Sequence, residues 1–148
     1  MLMKFVYAFQ KVLDVKTNEK KQAESQLSQA VGAMTLAERE LSDLMLAKYR
    51  QQEKLSDDAT KGRPMAEMIA GQQYVDHLEE RIRAAKRKLV AAEKHVNDLR
   101  ERLADRSVDE KVWLNAKDRA LAVHRAEAER RSQYEMDEMA TLRSRFAR

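Results

Sequence analysis

The side chains with chemical potential in this sequence fall into three groups. His77 with Glu80, three residues on, has a spacing that puts two metal-capable groups on one helix face, but a metal site needs a third and fourth ligand. Arg81 follows at once, and His95 and His124 lie more than a dozen residues away, so these histidines read as solvated surface groups. Arg81–Arg102 carries eight Lys or Arg against three acids, which could neutralise the phosphates of a nucleic acid. Interleaving with Glu93, Asp98 and Glu101 makes a solvated face the better reading. The 25 Asp and Glu side chains could in principle serve general acid–base catalysis, but that work needs a pocket that shifts their pKa. Gly32, Gly62 and Gly71 make neither a G-x-G-x-x-G nor a Walker-type phosphate loop. The chain has no Cys, hence no thiolate nucleophile, disulfide framework or Cys-based zinc site, which suits a reducing compartment. The expectation is a protein that is not an enzyme and carries no cofactor or metal.

Recognition chemistry is the more promising class. Phe5, Tyr7 and Phe9 cluster at the start, Tyr49 and Tyr74 stand on either side of mid-chain, Trp113 is alone, and Tyr134 and Phe146 come late. Two readings are open for Phe9, Tyr49 and Tyr74: caps on an apolar seam, or exposed anchors of a protein interface. Met136, Met139, Leu142 and Phe146 recur at helical spacing and form an apolar stripe that wants another surface. Folding back onto Phe5–Phe9 or self-association would also satisfy it.

The elements that must position these groups are helices. Ala, Glu, Lys, Leu and Arg supply 80 of 148 residues, while 3 Gly and 1 Pro are too few for the turns of a sheet fold. Apolar positions recur in alternating steps of three and four. Val75, Leu78, Ile82, Ala85, Leu89, Ala92, Val96, Leu99 and Leu103 keep this rule without exception. Leu13, Lys16, Lys20, Ala23, Leu27, Ala30, Met34, Ala37, Leu41 and Leu44 keep it with two lysines, which predicts local fraying at Lys16 and Lys20. Between the runs lies Ser56–Met65, where Gly62 can end one helix in the left-handed conformation and Pro64 suits the first turn of the next.

The expected fold class is all-α, two long helices forming an antiparallel coiled-coil hairpin. Residues 1–148 make one domain: a helix over about 4–57, a loop over about 58–64 and a helix over about 65–146. Paired residue numbers should sum to roughly 122, with Leu44 opposite Leu78 and Lys20 near Leu103. At 1.5 Å per residue the second helix outruns the first, leaving the last ~25 residues as an overhang. At Asp105–Glu110 the apolar pattern loses its phase, read as a stutter inside a continuous helix; the alternative is a break at 105–109, where Ser107 and Glu110 fit a capping box.

Charge and targeting signals are weak. The net charge of +4 is small against 54 charged groups. Met1–Phe9 is apolar but interrupted by Lys4 and followed by a charged stretch, unlike a signal peptide. No run approaches the ~20 apolar residues of a spanning helix, so any membrane association should be indirect.

One resemblance stands out. Phe5-Val-Tyr-Ala-Phe9-Gln-Lys-Val-Leu-Asp-Val-Lys16, then Gln72-Gln-Tyr-Val-Asp-His-Leu-Glu-Glu-Arg-Ile82 just after a loop, and a late Met136-Asp-Glu-Met-Ala140 together resemble the FliJ family of flagellar export proteins. The resemblance implies a cytoplasmic coupling factor of flagellar type III export, active in flagellum biogenesis and motility. It implies binding to the hexameric export ATPase in the manner of a central stalk, contact with the cytoplasmic domain of the export-gate membrane protein, and cycling of export chaperones. Localisation would be cytoplasmic, peripheral at the inner face of the membrane through these partners. The family's gate-contacting segment falls on Gln73, Tyr74, Leu78 and Ile82 with Tyr49 nearby, although Met45 stands where the family has an aromatic one turn before Tyr49. Its ATPase contacts fall on Phe9 and Leu13 and on the overhang, with Met136, Met139 and Phe146. The alternatives are a generic coiled-coil adaptor with no export role and a basic helical nucleic-acid binder.

Overall fold

A computed structural model describes residues 4–147. It contains two helices, α1 (Gln10–Thr60, 51 residues) and α2 (Met65–Phe146, 82 residues), packed against each other as a hairpin. Helix α1 starts at Gln10 and not near residue 4. Phe5, Val6, Tyr7 and Phe9 are poor helix formers; Phe5 packs on His124 and Phe9 on Tyr7 and Trp113, and the Phe9 carbonyl accepts the first helical bond from the Leu13 N–H at 3.0 Å.

The turn is built by backbone chemistry. The Arg63 N–H donates to the Asp58 carbonyl at 3.0 Å and the Gly62 N–H to the Ala59 carbonyl at 3.3 Å, the paired bonds of a Schellman cap. Gly62 carries the required positive φ of 68°. In place of the apolar contact that often accompanies this cap, Arg63 Nε stands 3.9 Å from Asp58 Oδ1. Pro64 has no N–H to satisfy, and its carbonyl accepts from Glu67 at 3.1 Å and Met68 at 3.2 Å to open α2. Replacing Gly62 by Ala forces a Cβ into the left-handed region and should lower stability by about 1 kcal/mol, read as an earlier urea midpoint with unchanged slope.

The chain divides into two compact units. The first, Ala23–Leu103, contains the turn. Its seam uses the positions expected from the spacing: Ala23, Ala30, Ala37, Leu44, Val75, Leu78, Ile82, Ala85, Val96 and Leu99 are buried, and Leu27, Met34, Leu41, Leu89, Ala92 and Leu103 are half-buried. Seven of these buried residues form two clusters. Leu44, Leu78, Ile82 and Ala85 make one, flanked by Leu41 and Ala47; Ala30, Val96 and Leu99 make the other, flanked by Leu27, Val31 and Met34. Leu44 thus meets Leu78 as expected, while the ion pairs Lys48–Glu79 and Lys88–Glu40, both at 3.3 Å, show flanking residues paired with sums of 127 and 128. Because α1 runs on to Thr60, the turn centre lies beyond the expected residue 61.

The second unit joins the residues up to Gln22 with those from Ala104 on. Helix α2 is unbroken here, and its inward positions Arg106, Glu110, Trp113 and Lys117 still follow steps of four, three and four. The expected stutter is therefore a change of side-chain chemistry and not of phase. Lys16 and Lys20, where fraying was expected, are helical and paired. Lys20 Nζ lies 3.3 Å from Glu110 Oε1. Lys16 Nζ lies 3.9 Å from Asp109 Oδ2 and 3.7 Å from Glu19 Oε2, to which Arg106 Nη1 donates at 3.0 Å. Beyond this layer Phe9 packs on Trp113 with ring centroids 5.7 Å apart, and Phe5 on His124 at 5.4 Å.

Candidate interaction surfaces

Among the exposed aromatic and apolar side chains of the described residues, those around Tyr74 and those at the end of α2 include the expected site residues. In the unit that contains the turn, Tyr74 is 47% exposed and lies beside a shallow groove with Gln51, Leu55, Asp58 and Gly71. Leu55 occupies the space that a side chain on Gly71 would take, so the helices approach closely there. Gln73 is exposed as well. Leu78 and Ile82 are not: at 1% and 7% exposure they belong to the cluster around Leu44. Tyr49 is 58% exposed, does not line the Tyr74 groove, and donates its hydroxyl to Glu53 Oε1 at 3.0 Å.

The Glu53 carboxylate that accepts this bond, and its negative charge, raise the Tyr49 phenol above its ordinary value of 10.0. Glu53→Gln should therefore let one of the four tyrosines ionise at lower pH in a spectrophotometric titration.

In the other unit Phe9 remains half open despite its contact with Trp113, whereas Leu13 is buried. Every described residue from Glu129 on is exposed, including Tyr134, Met136, Met139, Leu142 and Phe146, the last at 87%. Met139, Leu142 and Phe146 continue, at helical spacing, the α2 face that carries Trp113, Leu121 and His124. The stripe does not fold back on Phe5–Phe9, because those rings sit at Trp113 and His124.

The other chemistries fare differently. Among the described residues no group of three His, Asp or Glu side chains could hold a metal ion, and His77 is a surface residue. Within Arg81–Arg102, Lys88 is tied to Glu40, and Ile82, Ala85, Val96 and Leu99 point into the seam, so the cations of this stretch fan out around α2. No described helix is long and apolar enough to cross a membrane. Sequence reasoning missed the layer of Glu19, Arg106, Asp109 and Glu110. The signal was there: two lysines on a seam ask for acids on the facing helix, and the three–four steps lead from Leu103 to Arg106 and Glu110.

Two long helices packed along an apolar seam define a coiled-coil hairpin protein. The family model described as flagellar FliJ protein matches residues 3–148, and the chain belongs to that family. The flagellar FliJ protein of Bacillus subtilis (strain 168) is 23% identical over 138 residues, covering 93% of this chain and 94% of the relative. A solved structure described as a YscO homologue from Chlamydia trachomatis superposes with a TM-score of 0.61 at 18% identity, covering 94% of each chain, and so shares the fold. Family membership gives the chain a role connected with flagellar type III export, within a family of non-catalytic export components.

Proposed function

We propose that this protein is a coupling factor of the flagellar type III export apparatus, acting as one coiled-coil domain without enzymatic activity of its own. The α2 end, with Met136, Met139 and Phe146, and the exposed ring of Phe9 bind the hexameric export ATPase in the manner of a central stalk, while the buried Leu13 serves that contact by holding the Phe9 segment on α2. Tyr74 and Gln73, with Tyr49 on the other helix, contact the cytoplasmic domain of the export-gate membrane protein; Leu78 and Ile82 serve that contact by holding α2 in place. Export chaperones are further partners. The protein works in the cytoplasm, at the inner face of the membrane through these partners.

The observation that carries this reading is the Met139–Leu142–Phe146 stripe, which α2 presents beyond the last half-buried position, Ala128. Exposed apolar side chains in a row are costly unless a partner covers them. Arg143 and Arg145 beside the stripe add weak contacts that permit release or rotation. The test is ATP hydrolysis by the cognate export ATPase with and without this protein, alongside ring assembly by light scattering. Stimulation is expected; no stimulation and no binding by a well-folded hairpin leaves a coiled-coil adaptor with another partner.

A further inference from the structure

Among the described residues, the stretch of α1 between Leu13 and Ala23 buries no side chain deeply, and the facing stretch of α2 from Ala104 to Val112 buries only Glu110, at 9% exposure. What joins them is ionic: Lys20 with Glu110, Lys16 with Asp109, and Arg106 with Glu19. Apart from Glu110 these side chains are between a quarter and a half exposed, where salt screens an ion pair effectively. Beyond the layer Leu13 and Tyr7 are buried, at 4% and 9% exposure, and Phe9 packs on Trp113 and Phe5 on His124. The closed form also carries a cost, because the Tyr7 hydroxyl is buried with no hydrogen-bond partner among the described residues.

We propose that this ionic layer is a salt-dependent latch. When it is closed, the aromatic segment before α1 lies over Trp113. When it is screened, residues 4–20 leave α2 locally and Trp113 is uncovered, while the Leu44–Leu78–Ile82 cluster stays packed. The layer is suited to this because an ionic contact is lost by screening, and the apolar burial given up with it, chiefly Leu13 and Tyr7, is small beside the seam of the other unit, which stays packed. The proposal concerns the isolated chain and does not rest on the assignment of its partners.

The test uses the full chain and its single tryptophan. Acrylamide, a neutral quencher, reports the accessibility of Trp113, and far-ultraviolet circular dichroism reports helix content. Between about 50 mM and about 1 M NaCl the Debye length falls severalfold. Over that range the quenching constant should rise by about twofold while most helical signal is retained. In Lys20→Leu/Glu110→Leu the salt response should shrink with Trp113 better protected, the Lys16–Asp109 and Arg106–Glu19 pairs remaining, and Tyr7→Phe should weaken the response by favouring the closed form. Should the leucine pair fail to fold, Lys20→Gln/Glu110→Gln removes the charges of that pair with little change in volume, and should likewise reduce the rise of quenching with salt. A quenching constant that does not move with salt in the natural chain overturns the latch. So does an equal rise in the charge-removed variants, or a loss of helical signal in step with the quenching.

Discussion

Leu78→Ala is expected to destabilise the helix pair by about 3 kcal/mol, within the range for a buried leucine truncated to alanine. Leu78 is 1% exposed and packs with Leu44, Ile82 and Ala85, with Leu41 and Ala47 around them. Elsewhere the fully buried α1 positions of this seam are Ala23, Ala30 and Ala37, which bring the helices together but bury little area each, with Leu27, Met34 and Leu41 half-buried between them. The leucine and isoleucine side chains near Leu44 therefore hold a large share of the apolar burial in this unit. Removing three carbons there leaves a cavity that small alanine neighbours cannot fill. Urea unfolding followed by circular dichroism reads the change; a loss below about 0.5 kcal/mol would show that the cluster does not dominate stability.

The companion variant is Tyr74→Ala, expected to alter stability by no more than about 0.5 kcal/mol because its ring is 47% exposed. Both variants should lose binding to the cytoplasmic domain of the export gate, for different reasons. Leu78→Ala should regain it at low temperature, where the hairpin is refolded, whereas Tyr74→Ala should not. Binding retained by Tyr74→Ala at every temperature would remove the tyrosine from the proposed interface.

Such separations show where the sequence was sufficient. An unbroken three–four rhythm dictates helices, and the burial of Val75, Leu78, Ile82, Val96 and Leu99 follows from it, since a helix has one stripe to bury. Gly62 and Pro64 mark the turn because their backbone preferences are local. The polar layer was harder to read. A rhythm judged by apolarity alone stops at Leu103, although the geometry continues through Arg106 and Glu110 with charges that answer Lys16 and Lys20. Rhythm also cannot tell a seam residue from a contact residue, so Leu78 and Ile82 entered the candidate surface together with Tyr74. Only packing separates them, and packing depends on residues some thirty positions away, such as Leu44.

The second large effect is functional. Met139→Asp/Phe146→Asp should abolish stimulation of the export ATPase while leaving the unfolding curve of the isolated protein unchanged. Both side chains are exposed, at 62% and 87%, so no packing is lost when they become acidic. The stripe they belong to is short, and a carboxylate at each of two anchors would have to be desolvated on binding, at a cost of several kcal/mol apiece if no cation meets it. At 1.4 kcal/mol per tenfold, that is enough to move binding outside the working concentration range. Arg143→Gln/Arg145→Gln is the contrasting variant: rim charges govern encounter more than residence, so stimulation should survive at saturating protein, with a stronger dependence on its concentration. If the acidic pair stimulates the ATPase as well as the natural chain does, the α2 end is not the contact, and the ring must be engaged through Phe9 and the face around Trp113.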